Sequence, residues 1–241
     1  MNKKYKAAQK EGDKVYKYLL WDIDGTVLNF LASEAYAIRH LFKKYNLGEC
    51  DDEKLRLYSD INVKYWQKLE RGELTKKEIL VGRFRDFFEI TGVDVSLAEE
   101  FNKDYQETLG EYIEFVDNAE DILISQKGRY TLVAVTNGTK VAQEKKLRLS
   151  GLTHVFDAIF ISENVGAEKP EKKFFDFVFK ELGITDKKEA LIIGDSLTSD
   201  MLGGYLAGID TCWFNPSHKI NTLDFSVTYE IDDLEKLTEI L

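Results

Sequence analysis

The stretch that decides the fold is residues 18–30, Tyr-Leu-Leu-Trp-Asp-Ile-Asp-Gly-Thr-Val-Leu-Asn-Phe. Its apolar start is typical of a buried parallel strand, and Gly25 lets the backbone turn away after it. Asp22 and Asp24 stand at the end of that strand, where a buried carboxylate is costly unless something pairs with it. Because ligands of open α/β sheets bind beyond the carboxyl ends of the strands, the two aspartates predict a functional site.

The composition indicates a globular protein: of 241 residues, 44% are hydrophobic and 32% are charged. The formal net charge of -10 argues against a nucleic-acid polymer as a partner, since such proteins need a basic face. Cys50 and Cys212 match no metal-ligand spacing, so we expect two reduced thiols and a cytoplasmic location. No apolar run approaches the ~20 residues of a membrane span. The lysine-rich residues 1–17 lack the apolar centre of a secretory signal and are expected to form a mobile or surface-bound leader.

Residues 29–115 show helical periodicity without a convincing strand pattern. Helices are expected over about 31–45 and 52–70. Two further helices are expected after capping-box patterns, one at Thr75 and Glu78 and the other at Ser96 and Glu99. This part of the chain therefore predicts a bundle of about four helices. The bundle is an inserted cap at 29–115, and residues 1–28 and 116–241 form the core.

From residue 115 onward, helix and strand patterns alternate. Strands are expected at about 130–136, 158–161, 190–193 and 210–214, and helices at about 118–126, 140–149, 171–182, 197–207 and 231–241. This order predicts an α/β fold with a doubly wound parallel sheet.

Polar groups follow three of these strands, as Asp22 follows the first. They are Thr136-Asn137-Gly138, then Lys169-Pro170, then Gly194-Asp195-Ser196 with Asp200 five residues after Asp195. Parallel strands would bring these endings to one edge of the sheet. Asp195 alone could equally be a helix N-cap.

Helix capping can explain one carboxylate at a strand end, but it does not explain all of the carboxylates that follow these strands. Four carboxylates would lie around one point, those of Asp22, Asp24, Asp195 and Asp200. Lys169 is the obvious positive charge that would partly neutralise them. Such an excess of oxygen ligands calls for a divalent cation and suits magnesium. Thr136, the backbone donors after it and Lys169 suit phosphate oxygens. A metal, a carboxylate and phosphate donors together imply phosphoryl transfer.

The motifs Asp22-x-Asp24-Gly25-Thr26, Thr136-Asn137-Gly138, Lys169-Pro170 and Gly194-Asp195-Ser196-x-x-Ser199-Asp200 resemble the four ordered motifs of the haloacid dehalogenase superfamily. The resemblance covers residues 18 to about 215. It implies a Rossmann-like core with a helical cap and magnesium-dependent phosphoryl transfer.

The same resemblance implies the role of each motif residue. Asp22 would be the nucleophile that forms an aspartyl phosphate, and Asp24 the acid and then the base. Magnesium would be held by the Asp22 carboxylate, the Asp24 backbone carbonyl and Asp195, with Asp200 in support. The substrate phosphate would be bound by Thr136, Asn137 and Lys169. The dehalogenase members lack an aspartate at the position of Asp24, so carbon-halogen hydrolysis is disfavoured.

A less specific resemblance, to nucleotidases that remove the 5′-phosphate of nucleoside monophosphates, involves stretches of the cap and of the core. They are Asn29-Phe30, residues 66–75, Arg83-Phe84 and residues 203–213. It implies a small phosphorylated metabolite as substrate. The chain is expected to be a monomer or homodimer. The alternatives are a phosphatase of sugar phosphates or phosphoglycolate, a phosphomutase, and a non-catalytic interaction protein.

Two expectations concern the cap side chains. Most cap aromatics, Trp66, Phe84, Phe87 and Phe88 among them, are expected in the bundle core rather than under a base. Arg83 either reaches toward the site or lies on a solvated helix face.

Overall fold

A computed structural model describes residues 16–241 of the chain. The predicted leader therefore lies outside the described residues except at its end, where the Lys17 backbone bonds to Glu189 and Thr131 beside the first strand. Among the described residues, none of the helices combines the length and apolarity that a bilayer crossing requires.

Six parallel strands form one sheet in the order β3-β2-β1-β4-β5-β6. The strands are β1 (Tyr18–Trp21), β2 (Thr131–Thr136), β3 (Ala158–Ile161), β4 (Ala190–Gly194), β5 (Asp210–Phe214) and β6 (Tyr229–Ile231). Strand β1 lies between β2 and β4, with Leu20 opposite Val133 and Ile192. Asp22 therefore follows a central strand, flanked by the ends of its two neighbours.

Side chains of the central strands alternate between two apolar clusters, one on each face of the sheet. In β1, Leu19 and Trp21 belong to one cluster and Leu20 to the other. Because both faces are covered by helices, these strands read in the sequence as continuous apolar runs. The predicted doubly wound parallel sheet is confirmed.

The helices are α1 (Phe30–Lys44), α2 (Asp52–Glu70), α3 (Lys76–Thr91), α4 (Ala98–Leu109), α5 (Ala119–Gln126), α6 (Lys140–Leu149), α7 (Ser162–Val165), α8 (Lys172–Leu182), α9 (Leu202–Ala207) and α10 (Leu237–Ile240). The bounds of α2 and α6 are those predicted, and those of α1, α5 and α8 differ by one residue at one or both ends. The short helix α7 was not predicted. Helix α9 is preceded by a π-helical turn at Leu197–Met201.

Helices α1 to α4 form the inserted bundle, which has its own apolar core. Phe84, Phe87 and Phe88 are fully buried there, as predicted. The capping box of Thr75 and Glu78 begins α3, with both reciprocal hydrogen bonds formed.

The bundle is joined to the sheet by two adjacent segments. Leu28 forms an antiparallel bridge with Phe115, and Asn29 caps α1 by accepting from the Ala32 amide at 3.1 Å. The division of the chain into a cap at 29–115 and a core stays a prediction.

Two local predictions are wrong. The Ser96 and Glu99 capping box does not form, because the Asp94 side chain accepts from the Ser96 amide at 2.9 Å and begins a 3-10 turn ahead of α4. Residues 231–241 are not one helix. Ile231 ends the edge strand β6, and Asp233 then caps a short 3-10 turn, so that only α10 is α-helical.

Candidate active site

The predicted site residues meet at the carboxyl edge of the sheet, where the core faces α2 across a cleft of about 390 Å³. The cleft is lined on the core side by residues from the ends of β1, β2 and β4 and on the bundle side by residues of α1 and α2. All seven predicted residues line it: Asp22, Asp24, Thr136, Asn137, Lys169, Asp195 and Asp200. The strand topology therefore brings together residues that are up to 178 positions apart in the chain, from Asp22 to Asp200.

Three carboxylates form the acidic centre of the cleft. Asp22, Asp195 and Asp200 each offer an oxygen that lies within 4.8 Å of the others. Burial, and then the charge of Asp200, raises the pKa of Asp22 well above its ordinary value and the pKa of Asp195 to about 7. An all-oxygen cluster that resists ionisation in this way fits a small divalent cation such as magnesium.

Lys169 is the cation of this cluster and is fully buried. Its Nζ donates to Asp22 Oδ1 at 2.7 Å, to Asp200 Oδ1 at 2.7 Å and to the Val135 carbonyl at 2.8 Å. Burial alone would lower the pKa of Lys169, but the two carboxylates raise it above its ordinary value. The charge of Lys219 in the cleft lining also acts on Asp195. Three carboxylates against two ammonium groups still leave an excess of negative charge, which is the second reason why the site fits a cation.

Two glycines make room for these carboxylates. Gly25 has a φ of +95°, and a Cβ there would lie 2.8 Å from Asp195 Oδ2. At Gly194, a Cβ would lie 2.3 Å from Asp200 Oδ2. A side chain at either position would displace an acid of the cluster.

The Asn137 side chain holds the backbone of Lys169 from both sides. Its Nδ2 donates to the Lys169 carbonyl at 2.7 Å, and its Oδ1 accepts from the Lys169 amide at 2.8 Å. Thr136 Oγ1 accepts from the Gly138 amide at 3.1 Å. Asn137 thus fixes the lysine in place, and direct phosphate binding by Thr136 and Asn137 stays a prediction.

Asp24 forms hydrogen bonds with two residues that the sequence analysis missed. Its Oδ1 accepts from Lys146 Nζ at 2.5 Å, and its Oδ2 accepts from Gln143 Nε2 at 2.6 Å. Both residues lie on α6 and are fully buried. The sequence did hold a signal for this contact. Gln143 and Lys146 lie three positions apart on the helix face that also carries Ala142, and a face that packs inward normally carries apolar residues.

Trp66 is not in the bundle core, which corrects one expectation. Asn62, Trp66 and Glu70 lie at four-residue intervals on α2 and form a stripe that lines the cleft together with Phe30. Arg83 follows neither sequence alternative, because it is buried inside the bundle and donates to Asn62 Oδ1 at 2.6 Å.

Two contacts between the bundle and the core lie shortly after Trp66 in the sequence. Glu70 accepts a hydrogen bond from the Thr198 hydroxyl, and burial together with nearby Asp200 raises its pKa to about 7. Lys76 Nζ lies 2.8 Å from the Asn137 carbonyl and 2.9 Å from Glu168 Oε2. The bundle therefore contributes a carboxyl group to the cleft and an ammonium group beside it.

Three known proteins are similar to the chain over different lengths. The HAD-hydrolase YfnB of Bacillus subtilis is 41% identical over 95% of this chain and 96% of its own length. A crystal structure of YfnB bound to magnesium covers 95% of this chain and 99% of its own, with 39% identity and a TM-score of 0.90. The pyrimidine 5′-nucleotidase PynA of Streptococcus pneumoniae is 35% identical over 94% of this chain and 95% of its own length. A glyceraldehyde 3-phosphate phosphatase of Pyrococcus abyssi is 30% identical over 57% of this chain and 58% of its own length.

The family described as haloacid dehalogenase-like hydrolase matches residues 19–214. This range contains the acidic cluster, Lys169 and the inserted bundle. The chain is therefore a hydrolase of the haloacid dehalogenase-like family, in the branch that includes YfnB and PynA.

Proposed function

We propose that the protein is a magnesium-dependent phosphomonoesterase that works through an aspartyl phosphate on Asp22. The observation that carries the proposal is the bond between Lys169 and Asp22 beside two further acids at the base of a cleft. A carboxylate is a weak nucleophile, so it needs cations that draw charge from the phosphoryl group in the transition state.

In this proposal, magnesium would be held by the carboxylates of Asp22 and Asp195 and the backbone carbonyl of Asp24, with Asp200 in support. When bound, it would withdraw negative charge from the phosphoryl oxygens and help to align the phosphorus with Asp22. The described residues support this assignment because the three clustered acids outnumber the nearby ammonium groups of Lys169 and Lys219.

The reaction would proceed in two displacements. A carboxylate oxygen of Asp22 attacks phosphorus, and the ester bond breaks with its electron pair moving to the leaving oxygen, which takes a proton from Asp24. A water molecule then attacks the phosphorus of the aspartyl phosphate and gives its proton to Asp24. The bond between Asp22 and phosphorus breaks, which releases inorganic phosphate and restores both aspartates.

We propose nucleoside 5′-monophosphates as the substrates. The similarity to PynA supports this assignment, and so does the bundle side of the cleft, where Phe30 and Trp66 offer rings and Asn62 and Gln67 offer amides. Among the described residues, this side has no cation in the cleft lining and carries the carboxyl group of Glu70. A neutral leaving group with a flat ring suits such a wall better than a second phosphate or a carboxylate.

The test uses the purified enzyme with 4-nitrophenyl phosphate and then with a panel of metabolites. We expect turnover that requires magnesium and is abolished by Asp22→Asn in a folded protein. On the panel, uridine and cytidine 5′-monophosphates should exceed glucose 6-phosphate and phosphoglycolate in kcat/KM. Equal values across the panel would contradict the nucleotide assignment, and turnover by Asp22→Asn would contradict the mechanism.

Trp66 offers a second test of the substrate assignment. Trp66→Ala should raise KM for uridine 5′-monophosphate about 10-fold, because base stacking is worth about 1–3 kcal/mol per base in nucleic-acid binding. It should leave KM for glycerol 2-phosphate unchanged. Tyr205→Ala, at an exposed aromatic residue outside the cleft lining, is the matched control.

We also propose a cytoplasmic location and a monomer or homodimer. Cys50 and Cys212 are both free and buried, which is the usual state in a reducing compartment. Light scattering on the purified protein measures the oligomeric state, and a larger assembly would contradict this part of the proposal.

A further inference from the structure

The contacts of Asp24 fix the orientation of its carboxyl group. Lys146 carries an ammonium group, which can only donate, and Gln143 donates through Nε2, so both carboxyl oxygens of Asp24 act as acceptors. The carboxyl group is therefore held through both oxygens in one orientation. About 20% of the Asp24 side chain remains exposed, and it lines the cleft. Asp24 is therefore anchored from behind by α6 while remaining accessible from the cleft.

This arrangement has local costs that packing does not explain. Lys146 is fully buried, and a buried ion pair seldom adds net stability. Gln143 Oε1 is buried and has no hydrogen-bond partner among the described residues, although buried polar atoms are normally paired. A Cβ at position 138 would lie 2.2 Å from Gln143 Nε2, so Gly138 of the Thr136-Asn137-Gly138 motif leaves room for this amide. Two unfavourable features, together with a glycine that leaves room for the amide, converge on one carboxylate and indicate a functional requirement.

We propose that Lys146 and Gln143 are positioning residues that hold Asp24 as the base for hydrolysis of the aspartyl phosphate. The inference rests on the proposed function and assigns to α6 a role in its second half. In that half, water attacks phosphorus, its proton moves to Asp24, and the bond between phosphorus and Asp22 breaks. The base must be correctly oriented toward the attacking water, and the two contacts fix the position of its carboxyl group.

The two halves of the reaction can be separated with 4-nitrophenyl phosphate, whose good leaving group needs little help from an acid. Rapid mixing measures the first release of 4-nitrophenol, and the steady state reports hydrolysis of the aspartyl phosphate. In Lys146→Met we expect the first turnover to stay within about 3-fold of the wild type. The steady-state rate should fall about 10- to 100-fold, in line with the cost of a misplaced catalytic group. A burst of about one 4-nitrophenol per enzyme should therefore appear or grow.

Three further variants complete the experiment. Lys146→Arg keeps the charge and should recover most of the steady-state rate. Gln143→Leu removes the neutral donor and should give the same pattern with a smaller loss, which keeps the test valid if Lys146→Met does not fold. Lys140→Met, at a half-exposed lysine on the same helix, should behave as the wild type.

If Lys146 and Gln143 had a purely structural role, their variants would lower the rates of the first turnover and of the steady state equally. That result would overturn the inference. Unchanged kinetics in both variants would also overturn it. A failure of the proposed function gives a different result, since the wild type would then lack turnover or Asp22→Asn would retain it.

Discussion

Replacing Lys169 with methionine tests the electrostatic balance of the cleft in the metal-free protein. Lys169 contacts Asp22 and Asp200 at 2.7 Å each, and all three side chains are at least nine-tenths buried. Loss of the ammonium leaves buried carboxylates without that partner. Removing one member of a buried ion pair costs about 3–5 kcal/mol. We therefore expect the free energy of unfolding of the metal-free protein to fall by about that amount.

The expected change in melting temperature follows from the size of the chain. One kcal/mol corresponds to about 2–4 °C for domains of roughly 150–250 residues, so Lys169→Met should melt roughly 6–20 °C below the wild type in EDTA. Magnesium should narrow this gap, because a second cation then neutralises the same acids. Thermal unfolding followed by circular dichroism, with and without magnesium, measures both effects.

Lys172→Met is the matched control. Lys172 is exposed and pairs with Asp176 at the surface, where an ion pair contributes at most about 1 kcal/mol. The reasoning is refuted if metal-free Lys169→Met has the same melting temperature as the wild type. It is also refuted if magnesium raises the melting temperature of both proteins equally.

The remaining predictions concern charge and space in the cleft. Because the pKa of Asp195 is raised to about 7, the metal-free protein should lose stability as pH rises from about 4 through 7, and magnesium affinity should increase over that range. Calorimetric titration and melting curves check both, and flat profiles would contradict them. Glu70→Gln should raise kcat/KM for phosphoglycolate about 5-fold relative to uridine 5′-monophosphate, since about 1 kcal/mol of repulsion is removed; equal ratios in both proteins would count against it. Gly194→Ala should weaken magnesium binding at least about 10-fold by displacing Asp200, whereas Gly183→Ala, where a Cβ meets nothing within 4 Å, should not.

The sheet could be predicted from the sequence because its central strands are buried on both faces. Such strands appear as short apolar runs, and the bounds of β2 and β4 lie within one residue of those expected. Strand β6 was missed because it has three residues at the sheet edge, of which Ile231 alone is fully buried. The Ser96 pattern failed for a related reason, since Asp94 competes for the same turn and sequence spacing does not decide between them.

Most of the predicted site residues stand at or near the end of a strand, and Lys169 follows β3 after the short helix α7. Parallel topology brings such residues together, so Asp22 and Asp195 could be grouped before their distance was known. Lys146 lies in the middle of a helix, and its contact with Asp24 depends on how α6 packs against the end of β1. Trp66 was misassigned because helical periodicity identifies a face and does not say whether that face meets a core or a cleft.

The two sides of the cleft differ in chemistry, and this difference determines how specificity can change. The core side supplies the acidic cluster and the buried Lys169, which in the proposed mechanism act on the phosphoryl group common to all substrates. The α2 side presents Asn62, Trp66 and Glu70 from one helical stripe, so three positions on a single helix would face the leaving group. Substitutions in that stripe should therefore redistribute kcat/KM among phosphate esters while the turnover of a small aryl phosphate is retained, because none of the three contacts Asp22 or Lys169 by a hydrogen bond.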